Sequence, residues 1–441
     1  MSSYSDDFLS FFRASSPYIH AHRGKTLVVY LSGEALAHDS TALIHDLALL
    51  RSLGLRLIIA YGTRPQVTAA CQDEGVTEAF DDGLRITDAA TLKVATGVAQ
   101  QLMVRLQAEF STGLVNSPMH GAGIGVVNGN FVHAMPRGII NGVDLQFTGT
   151  VRRIGAEGIR QQLDAGNIVL LPPFGFSVTG EVFNLSAPEV AVSAAVATRA
   201  DKLVIVGAMD ALPEPAAQSQ MTPHELRQHL ETLAPDLAGL AEARAALSAS
   251  QQGISRVHVL SATEPGGLLR ELYTRDGCGI MVSRDDYDRF RSATAEDIGG
   301  ILELLRPLED EGVLVRRSRE QLERDIGEFV VNERDGMIIG CAALHPFDTQ
   351  AGRQAELACV AVHTDYRTHG RGARLLEQVE RQARAHGIRQ LFALTTRTTH
   401  WFREHGFVQG DISDLPEERK ALYNFQRNSR VLIKPLPPGR L

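Results

Sequence analysis

The segment ELACVAVHTDYRTHGRGARLLEQVERQARAHG, residues 356–387, combines a candidate acid–base residue with a glycine-rich loop. An apolar strand begins at Glu356 and leads into Arg367-x-x-Gly370-x-Gly372, which opens a helix. Glycines leave the backbone N–H groups unobstructed, and together with the helix dipole these groups favour a pyrophosphate. Two loop arginines add positive charge. The spacing therefore predicts an anion site, with a plain tight turn as the alternative.

The elements around this loop resemble the GNAT acetyltransferases. A hairpin turn at Asp335-Gly336 precedes the loop, and the strand QLFALTT follows it. In that family the loop binds the pyrophosphate of acetyl-CoA, and the pantetheine arm bonds to the preceding strand like an added strand. The resemblance thus implies acetyl-CoA as co-substrate, bound by Cys359, Val360, Ala361, Val362, Arg367, His369, Gly370, Arg371, Gly372 and Ala373.

Eleven segments in the same order extend the resemblance to the whole chain. They include YIHAHRGKTLVV, GLRITDAATL, NGNFVHAMPRG, ELYTRDGCGIMV and LYNFQRNSRVL. Together they resemble the bacterial N-acetylglutamate synthases, amino-acid N-acetyltransferases in which an amino-acid-kinase-like domain is fused to a GNAT domain. The resemblance implies acetyl transfer from acetyl-CoA to the α-amine of L-glutamate. It also implies that this is the first step of arginine biosynthesis, with feedback inhibition by L-arginine.

Acetyl transfer to an amine needs a base, because the amine is mostly protonated near neutral pH. The resemblance implies that Glu356 is this base, acting directly or through a water. Thr395 matches a hydroxyl position that orients water or the departing thiol, and Tyr423 could protonate the CoA thiolate. Plainer interpretations stay open, namely a solvated carboxylate for Glu356 and strand propensity for Thr395.

The two carboxylates of glutamate require cations. The resemblance implies that Arg317, Arg427 and Ser429 hold the substrate, and arginine can grip a carboxylate with two parallel hydrogen bonds. Arg316 takes the place of Arg317 if the register is shifted by one, and exposed surface arginines are the alternative for each. Cys359 is expected to pack and to lend its backbone, because transfer in GNAT enzymes is direct.

Short apolar strands alternate with helical stretches from Thr26 to about Ser283, as in a parallel sheet covered on both faces. We expect an α/β amino-acid-kinase-like open parallel-sheet sandwich over 26–283, followed by a mixed α+β GNAT domain over 284–441. Residues 211–252 are expected to form peripheral helices or a mobile excursion. The charged segment 282–294 has no apolar period and indicates the crossover between the domains.

The first strand runs into a Ser-Gly turn, as many nucleotide sites do, yet three kinase motifs are altered. The first has Tyr30 in place of a lysine, the second reads Gly62-Thr63-Arg64-Pro65, and the third has Pro188 in place of an aspartate. Phosphoryl transfer depends on positioned cations and on close backbone approach to phosphates. We therefore expect neither kinase activity nor ATP binding.

Arginine-inhibited members of this fold suggest what replaces the kinase site. They form an L-arginine site from a histidine, a glutamate and a glycine, and His258, Glu271 and Gly277 keep their intervals. Lys202 is a further candidate, for the arginine carboxylate, and a helix glutamate without a ligand is the alternative. A short helix over 8–19, within residues 1–25, is expected to dock on its own domain or to pack subunits into a homohexamer ring.

Bulk composition limits the other classes of function. The 441 residues carry a net charge of −8, which argues against general nucleic-acid binding. Four scattered cysteines form no zinc or redox motif, and no stretch is long enough to span a bilayer, so we expect a cytoplasmic protein without a metal. Three other functions stay open: a GNAT enzyme for another acceptor, an arginine-binding regulator with a vestigial GNAT domain, and a bifunctional synthase–kinase.

Overall fold

The computed structural model describes residues 2–37, 40–81, 83–112, 123–214, 219–234, 237–283, 288–334, 336–349, 352–367, 370–421, 423 and 429–437. The chain forms two compact units, Met1–Asp285 and Asp286–Leu441. Among the described residues, none of the helices has the length and apolar character needed to cross a bilayer.

The N-terminal unit contains the helices α1 Ser2–His22, α2 Thr41–Ser52, α3 Arg64–Glu74, α4 Ala89–Thr112, α5 Ala156–Asp164, α6 Ala187–Thr198, α7 Pro223–Leu230, α8 Leu240–Gln251 and α9 Gly267–Tyr273. Its strands are β1 Thr26–Leu31, β2 Arg56–Tyr61, β3 Ala79–Asp81, β4 Leu84–Ile86, β5 Val126–Val127, β6 Val132–Pro136, β7 Ile139–Ile140, β8 Val143–Asp144, β9 Gly149–Ile154, β10 Ile168–Leu171, β11 Phe174–Phe176, β12 Val182–Asn184, β13 Lys202–Gly207, β14 Gln220–Met221, β15 Arg256–Ser261 and β16 Ile280–Ser283.

An eight-stranded sheet forms the centre of this unit, in the order β14-β16-β15-β13-β1-β2-β10-β5. The parallel pairing predicted for this sheet is confirmed from β15 through β5. Strand β16, however, runs antiparallel to β15, because an apolar run does not reveal strand direction. Alternate residues of β1 enter two different core clusters, Val28 in one and Leu27 with Val29 in the other, so both faces of the sheet are covered.

Helix α8 corrects the expectation for residues 211–252. Ala243, Ala246 and Ala249 of α8 are completely buried, and the helix packs against α6 and β15. Small alanine side chains let the helix approach its neighbours closely. A helix with few bulky apolar residues can therefore still be buried. Helix α8 is part of the core.

Helix α1 is longer than the predicted 8–19. Near its C-terminal end, Tyr18 and Ile19 pack against a core cluster of the main sheet. Leu9, Phe11 and Phe12 instead remain exposed, the two phenylalanines at 55% each. The helix therefore docks on its own unit at one end, whereas aromatic side chains are exposed towards the other.

The C-terminal unit contains the helices α10 Ile298–Asp310, α11 Arg319–Asp325, α12 Arg371–Ala385, α13 Thr399–Glu404 and α14 Glu417–Ala421. Its strands are β17 Arg289–Ser292, β18 Phe329–Arg334, β19 Met337–Thr349, β20 Gly352–Val362, β21 Gln390–Thr395, β22 Val408–Gln409 and β23 Arg430–Pro435. They form one sheet in the order β17-β18-β19-β20-β21-β23-β22, in which β20 and β21 are parallel and the other pairs are antiparallel.

Strand β17 corrects the interpretation of 282–294 as a simple crossover. Its residues pair with β18, and Arg291 of β17 donates to Glu333 at 2.7 Å and to Asp297 at 2.6 Å and 2.8 Å. Backbone pairing and ion pairs thus hold this edge strand, in which Phe290 is the one apolar residue. A search for apolar periodicity cannot find such a strand.

Candidate functional site

A gap opens in the sheet of the C-terminal unit between β20 and β21. The two strands pair only over residues 354–356 and 390–392. In the described part of the sheet, β20 continues beyond Glu356 against β19 alone, and β21 continues against β23. Cys359 has a left-handed φ of 53° and coincides with a register shift against β19, which is the geometry of a bulge that bends its strand. Backbone groups of 357–362 consequently face the gap.

Glu356 lies where the gap begins and is 9% exposed. Arg419 of α14 donates from Nε to Oε2 of this carboxylate at 2.6 Å and from Nη2 to Oε1 at 3.1 Å. One guanidinium therefore engages both oxygens of the predicted base. The sequence alone gives no sign of Arg419, which lies 63 residues away in a segment without a motif.

Arg317 reaches the bulge of β20. Its Nη1 contacts Sγ of Cys359, and its backbone N–H donates to Glu309 at 3.1 Å. Burial raises the pKa of the Cys359 thiol to about 11, so the thiol is protonated at neutral pH and is a poor nucleophile. Arg316, the alternative to Arg317, instead extends into solvent with its side chain 80% exposed.

Tyr423 and Ser429 lie together on the face of the sheet that carries Glu356. The Tyr423 hydroxyl donates to the carbonyl oxygen of Ser429 at 2.5 Å. Tyr423 belongs to the same core cluster as Phe392, which is the register partner of Glu356. Adjacent partners in a sheet point to the same side, so the tyrosine and the carboxylate share one face. Arg427, the other predicted substrate ligand, lies outside the described residues.

The Thr395 hydroxyl organises the turn that follows β21. Its Oγ1 accepts from the backbone N–H of Arg397 at 3.3 Å and of Thr398 at 3.1 Å. The same oxygen lies 2.8 Å from Oγ1 of Thr398. Thr395 thus has a structural role in this turn, beside the catalytic role that the resemblance implies.

The predicted anion loop leads into α12. Gly370 adopts a φ of 67° just before the helix, and a Cβ on Gly372 would lie 3.2 Å from the Trp401 indole. Arg367 is exposed and donates to the carbonyl of Val362 at 3.4 Å. The remaining predicted cofactor residues are Val360 and Ala361 at the end of β20, Ala373 in the first turn of α12, and His369, which lies outside the described residues.

Arg371 does not add its charge to the loop surface as expected. Its Nε donates to Oδ2 of Asp288 at 2.7 Å, and the two side chains are only 12% and 7% exposed. The Arg371 guanidinium is thus shared with a buried carboxylate, which lies 83 residues away in the sequence.

His258, Glu271 and Gly277 of the N-terminal unit form one cluster. Nδ1 of His258 lies 2.6 Å from one Glu271 oxygen, and the other oxygen accepts from the N–H groups of Cys278 and Gly279 at 2.7 Å and 2.9 Å. A Cβ on Gly277 would collide with Glu271, and the φ of 62° also favours glycine. The three residues that the resemblance singles out are therefore brought together.

Hydrogen bonding decides the charge of this cluster. Burial alone would raise the pKa of Glu271, but the bonds from His258, Cys278 and Gly279 lower it to about 2. Burial lowers the pKa of His258, so a neutral imidazole donates through Nδ1 and keeps Nε2 as an acceptor. In the described part of the chain, this buried Nε2 has no hydrogen-bond partner.

Lys202 meets His22 at the end of α1, with Nζ 2.9 Å from Nε2. An ammonium only donates, so Nε2 accepts and Nδ1 of the neutral ring carries the proton. Burial, followed by the charge of Lys202, lowers the pKa of His22 to about 3. Nδ1 is buried without a partner among the described residues, and a cavity of about 310 Å³ is lined by His22, Lys202, Asp201 and Arg256 among others. Among the described residues, Nδ1 of His22 is thus a donor without an acceptor, and Nε2 of His258 is an acceptor without a donor.

The two kinase-type turns of the N-terminal unit close on each other. Nε2 of Gln66 donates to the carbonyl of Gly33 at 2.6 Å, and a Cβ on Gly33 would lie 2.5 Å from Pro65. The buried Tyr30 hydroxyl is close to Gly62, where a Cβ would be 3.0 Å away. Protein side chains therefore occupy the space between the ends of β1 and β2. Among the described residues, no group of three His, Cys, Asp or Glu side chains is arranged to hold a metal ion.

Two family models match the chain: residues 25–261 match the amino acid kinase family, and residues 299–407 match the acetyltransferase (GNAT) family. The amino-acid acetyltransferase of Azotobacter vinelandii is 48% identical over 98% of this chain and 100% of its own length. That of Shewanella oneidensis is 46% identical over 96% of each.

Two solved structures of N-acetylglutamate synthase from Neisseria gonorrhoeae are each 36% identical to this chain. The one complexed with coenzyme A and L-arginine has a TM-score of 0.83 and covers 97% of this chain and 99% of its own. The one complexed with coenzyme A and N-acetyl-glutamate has a TM-score of 0.61 and covers 98% and 99%.

His22 makes the stability of the chain sensitive to acid. An unfolded histidine titrates near 6.5, whereas the pKa of folded His22 is about 3. Between these values only the unfolded chain binds the proton, so this stability is complete above pH 6.5 and declines as the pH falls toward 3. We expect a loss of about 1 kcal/mol between pH 7.5 and pH 5.5, which His22→Gln should abolish. Urea unfolding followed by far-ultraviolet circular dichroism measures it.

His400→Gln is the matched control, because the His400 side chain is 90% exposed and its replacement should leave the pH dependence unchanged. Equal pH dependence in the parent and in His22→Gln would contradict the neutral state of His22.

Proposed function

The chain belongs to the amino-acid acetyltransferase family, and we propose that it transfers the acetyl group of acetyl-CoA to the α-amine of L-glutamate. One observation carries the proposal: the gap between β20 and β21 begins at the buried carboxylate of Glu356, with Arg419 on that carboxylate and Arg317 at the bulge just beyond. The Neisseria neighbour complexed with coenzyme A and N-acetyl-glutamate supports this choice of ligands.

Glu356 supplies the base. The substrate ammonium gives a proton to Glu356, and its nitrogen then attacks the thioester carbonyl. The C–N bond forms, the C–S bond breaks, and the nitrogen loses its second proton while the departing thiolate takes up one. Of the two protons that the ammonium gives up, one ends on CoA and one is released per turnover. Tyr423 shares the face of Glu356 and is the candidate donor, although a thiolate with a pKa near 8.5 needs little help.

Arginines hold the substrate carboxylates. We assign Arg317, Arg427 and Ser429 to this task, and Arg419 joins them because it lies against the base. A substrate carboxylate that draws Arg419 away would free both oxygens of Glu356 to accept a proton. This exchange would link activation of the base to an acceptor with two carboxylates.

Glu356→Gln tests the base. Glutamine keeps the size of the side chain but cannot take the proton, so kcat should fall by about 100-fold or more while the KM for glutamate changes by less than about threefold. Release of the CoA thiol from acetyl-CoA measures both constants. Glu333→Gln is the matched control, because Glu333 is also a strand carboxylate paired with an arginine, at 2.7 Å from Arg291. A Glu356→Gln enzyme as fast as the parent would remove Glu356 from the mechanism.

A panel of acceptors tests the substrate. Thiol release with acetyl-CoA should be fastest with glutamate, and Arg419→Gln should reduce the preference for glutamate over glycine. If glycine or lysine served as well as glutamate in the parent, an acetyltransferase for another acceptor would replace the proposal. No release with any amine would favour an arginine-binding regulator with a vestigial GNAT domain.

We further propose that L-arginine inhibits the enzyme from the cluster around Glu271. Nε2 of His258 can accept from the guanidinium, and Nδ1 of His22 with Lys202 can donate to the carboxylate. Both oxygens of Glu271 are already bonded within the protein, so Glu271 would attract the guanidinium chiefly by its charge. The Neisseria neighbour complexed with L-arginine supports this assignment. Inhibition by arginine would place the reaction at the start of arginine biosynthesis.

Glu271→Gln tests the effector site, because it removes the charge and keeps the shape. The arginine concentration that halves thiol release should rise by about tenfold or more. Glu264→Gln is the control, since Glu264 is a partly exposed carboxylate that pairs with Arg270 at 2.8 Å, and its arginine response should match the parent. An undiminished response in Glu271→Gln would show that arginine acts elsewhere.

We also propose that residues 26–283 form a regulatory domain without kinase activity or ATP binding, and that 284–441 form the acetyltransferase. The contacts of Tyr30, Pro65 and Gln66 across the kinase-type turns support the proposal that residues 26–283 lack kinase activity and ATP binding.

Residues 1–25 would join subunits in a homohexamer through the exposed Phe11 and Phe12, and light scattering on the purified protein gives the subunit number. Four unpaired cysteine thiols support a cytoplasmic location.

A further inference from the structure

Asp288 is a buried carboxylate in the C-terminal unit, 6% exposed, that bonds to two arginines. Arg371, the first residue of α12, donates to Oδ2 at 2.7 Å. Arg334, at the end of β18, donates to Oδ1 at 3.3 Å. One side chain thus joins a strand end to the helix start where the pyrophosphate of acetyl-CoA is proposed to bind.

Tyr366 completes this arrangement. The guanidinium of Arg371 lies 5.4 Å from the centre of the Tyr366 ring, and that of Arg334 lies 5.7 Å from it, both within the range of cation–π attraction. The tyrosine is 4% exposed and its N–H donates to the carbonyl of His363 at 2.9 Å. Tyr366 directly precedes the anion loop and Arg371 lies within it at the start of α12, so these contacts connect the beginning of the loop to the beginning of the helix.

The charge of Asp288 supports this arrangement. Two guanidiniums approach one aromatic ring in a buried place, and the carboxylate between them offsets their mutual repulsion. Loss of that carboxylate would increase the repulsion between the two cations, and we expect the start of α12 to shift. Backbone N–H groups bind a pyrophosphate only when they point at it, so a small shift would weaken binding.

We propose that Asp288 and Arg334 are positioning residues for acetyl-CoA, which act through Arg371 and Tyr366 without touching the co-substrate. The inference rests on the proposed function, because it takes the N-terminus of α12 as the site of the CoA pyrophosphate. We therefore expect that replacing either residue weakens the binding of acetyl-CoA and leaves the binding of glutamate unchanged.

Asp288→Asn tests the proposal. We expect the Kd for CoA, measured by titration calorimetry, and the KM for acetyl-CoA to rise by about tenfold, with the KM for glutamate changed by less than about twofold. Asp297→Asn is the matched control. Asp297 is an equally buried carboxylate of the same unit and accepts two hydrogen bonds from Arg291, at 2.6 Å and 2.8 Å. It should lower the thermal midpoint without weakening CoA selectively.

Equal effects of Asp288→Asn on CoA and glutamate, or an effect on CoA no larger than that of Asp297→Asn, would overturn the proposal. If Asp288→Asn does not fold, Arg334→Gln carries the test, because it keeps the pair between Asp288 and Arg371; unchanged CoA affinity in that variant would also overturn it. A parent protein that binds no CoA would instead overturn the proposed function.

Discussion

The acetyl-transfer unit depends on how early the pairing of β20 and β21 stops. Three residue pairs hold the strands together, and the bulge at Cys359 then turns β20 away from its neighbour. If the ladder continued, the backbone groups of 357–362 would be satisfied within the sheet and no room would remain. Because the pairing stops at Glu356, polar backbone groups beyond this residue are available to an extended ligand, and the Glu356 carboxylate lies where the gap begins. The site is a consequence of incomplete strand pairing.

The sequence predicts those features that each depend on a short local pattern. Apolar runs identify β1, β2 and β13, and the resemblance to arginine-inhibited members of the fold singles out His258, Glu271 and Gly277, which the fold does bring together. Strand β17 is not predicted because its sequence is charged and lacks an apolar pattern. The burial of α8 is not predicted because alanine occurs both in protein cores and at protein surfaces. Such errors follow from local patterns that do not encode burial.

The partners of Glu356 and Arg371 could not be predicted from the sequence, because each lies far away along the chain. The partner of Glu356 is 63 residues away, and the partner of Arg371 is 83 residues away. Both partners are common charged residues whose neighbours carry no motif. The sequence can therefore predict that Arg371 is positive, but only the fold decides that a buried carboxylate shares this charge.

The close packing of Gly372 on Trp401 gives the protein a built-in optical label. Trp401 is the single tryptophan of the 441-residue chain, and its indole also lies 4.3 Å from the ring of His405. Any movement of the first turn of α12 alters the surroundings of that indole. Tryptophan fluorescence, excited at a wavelength that the eight tyrosines do not absorb, therefore reports on the start of α12 and on the neighbouring rings without a dye.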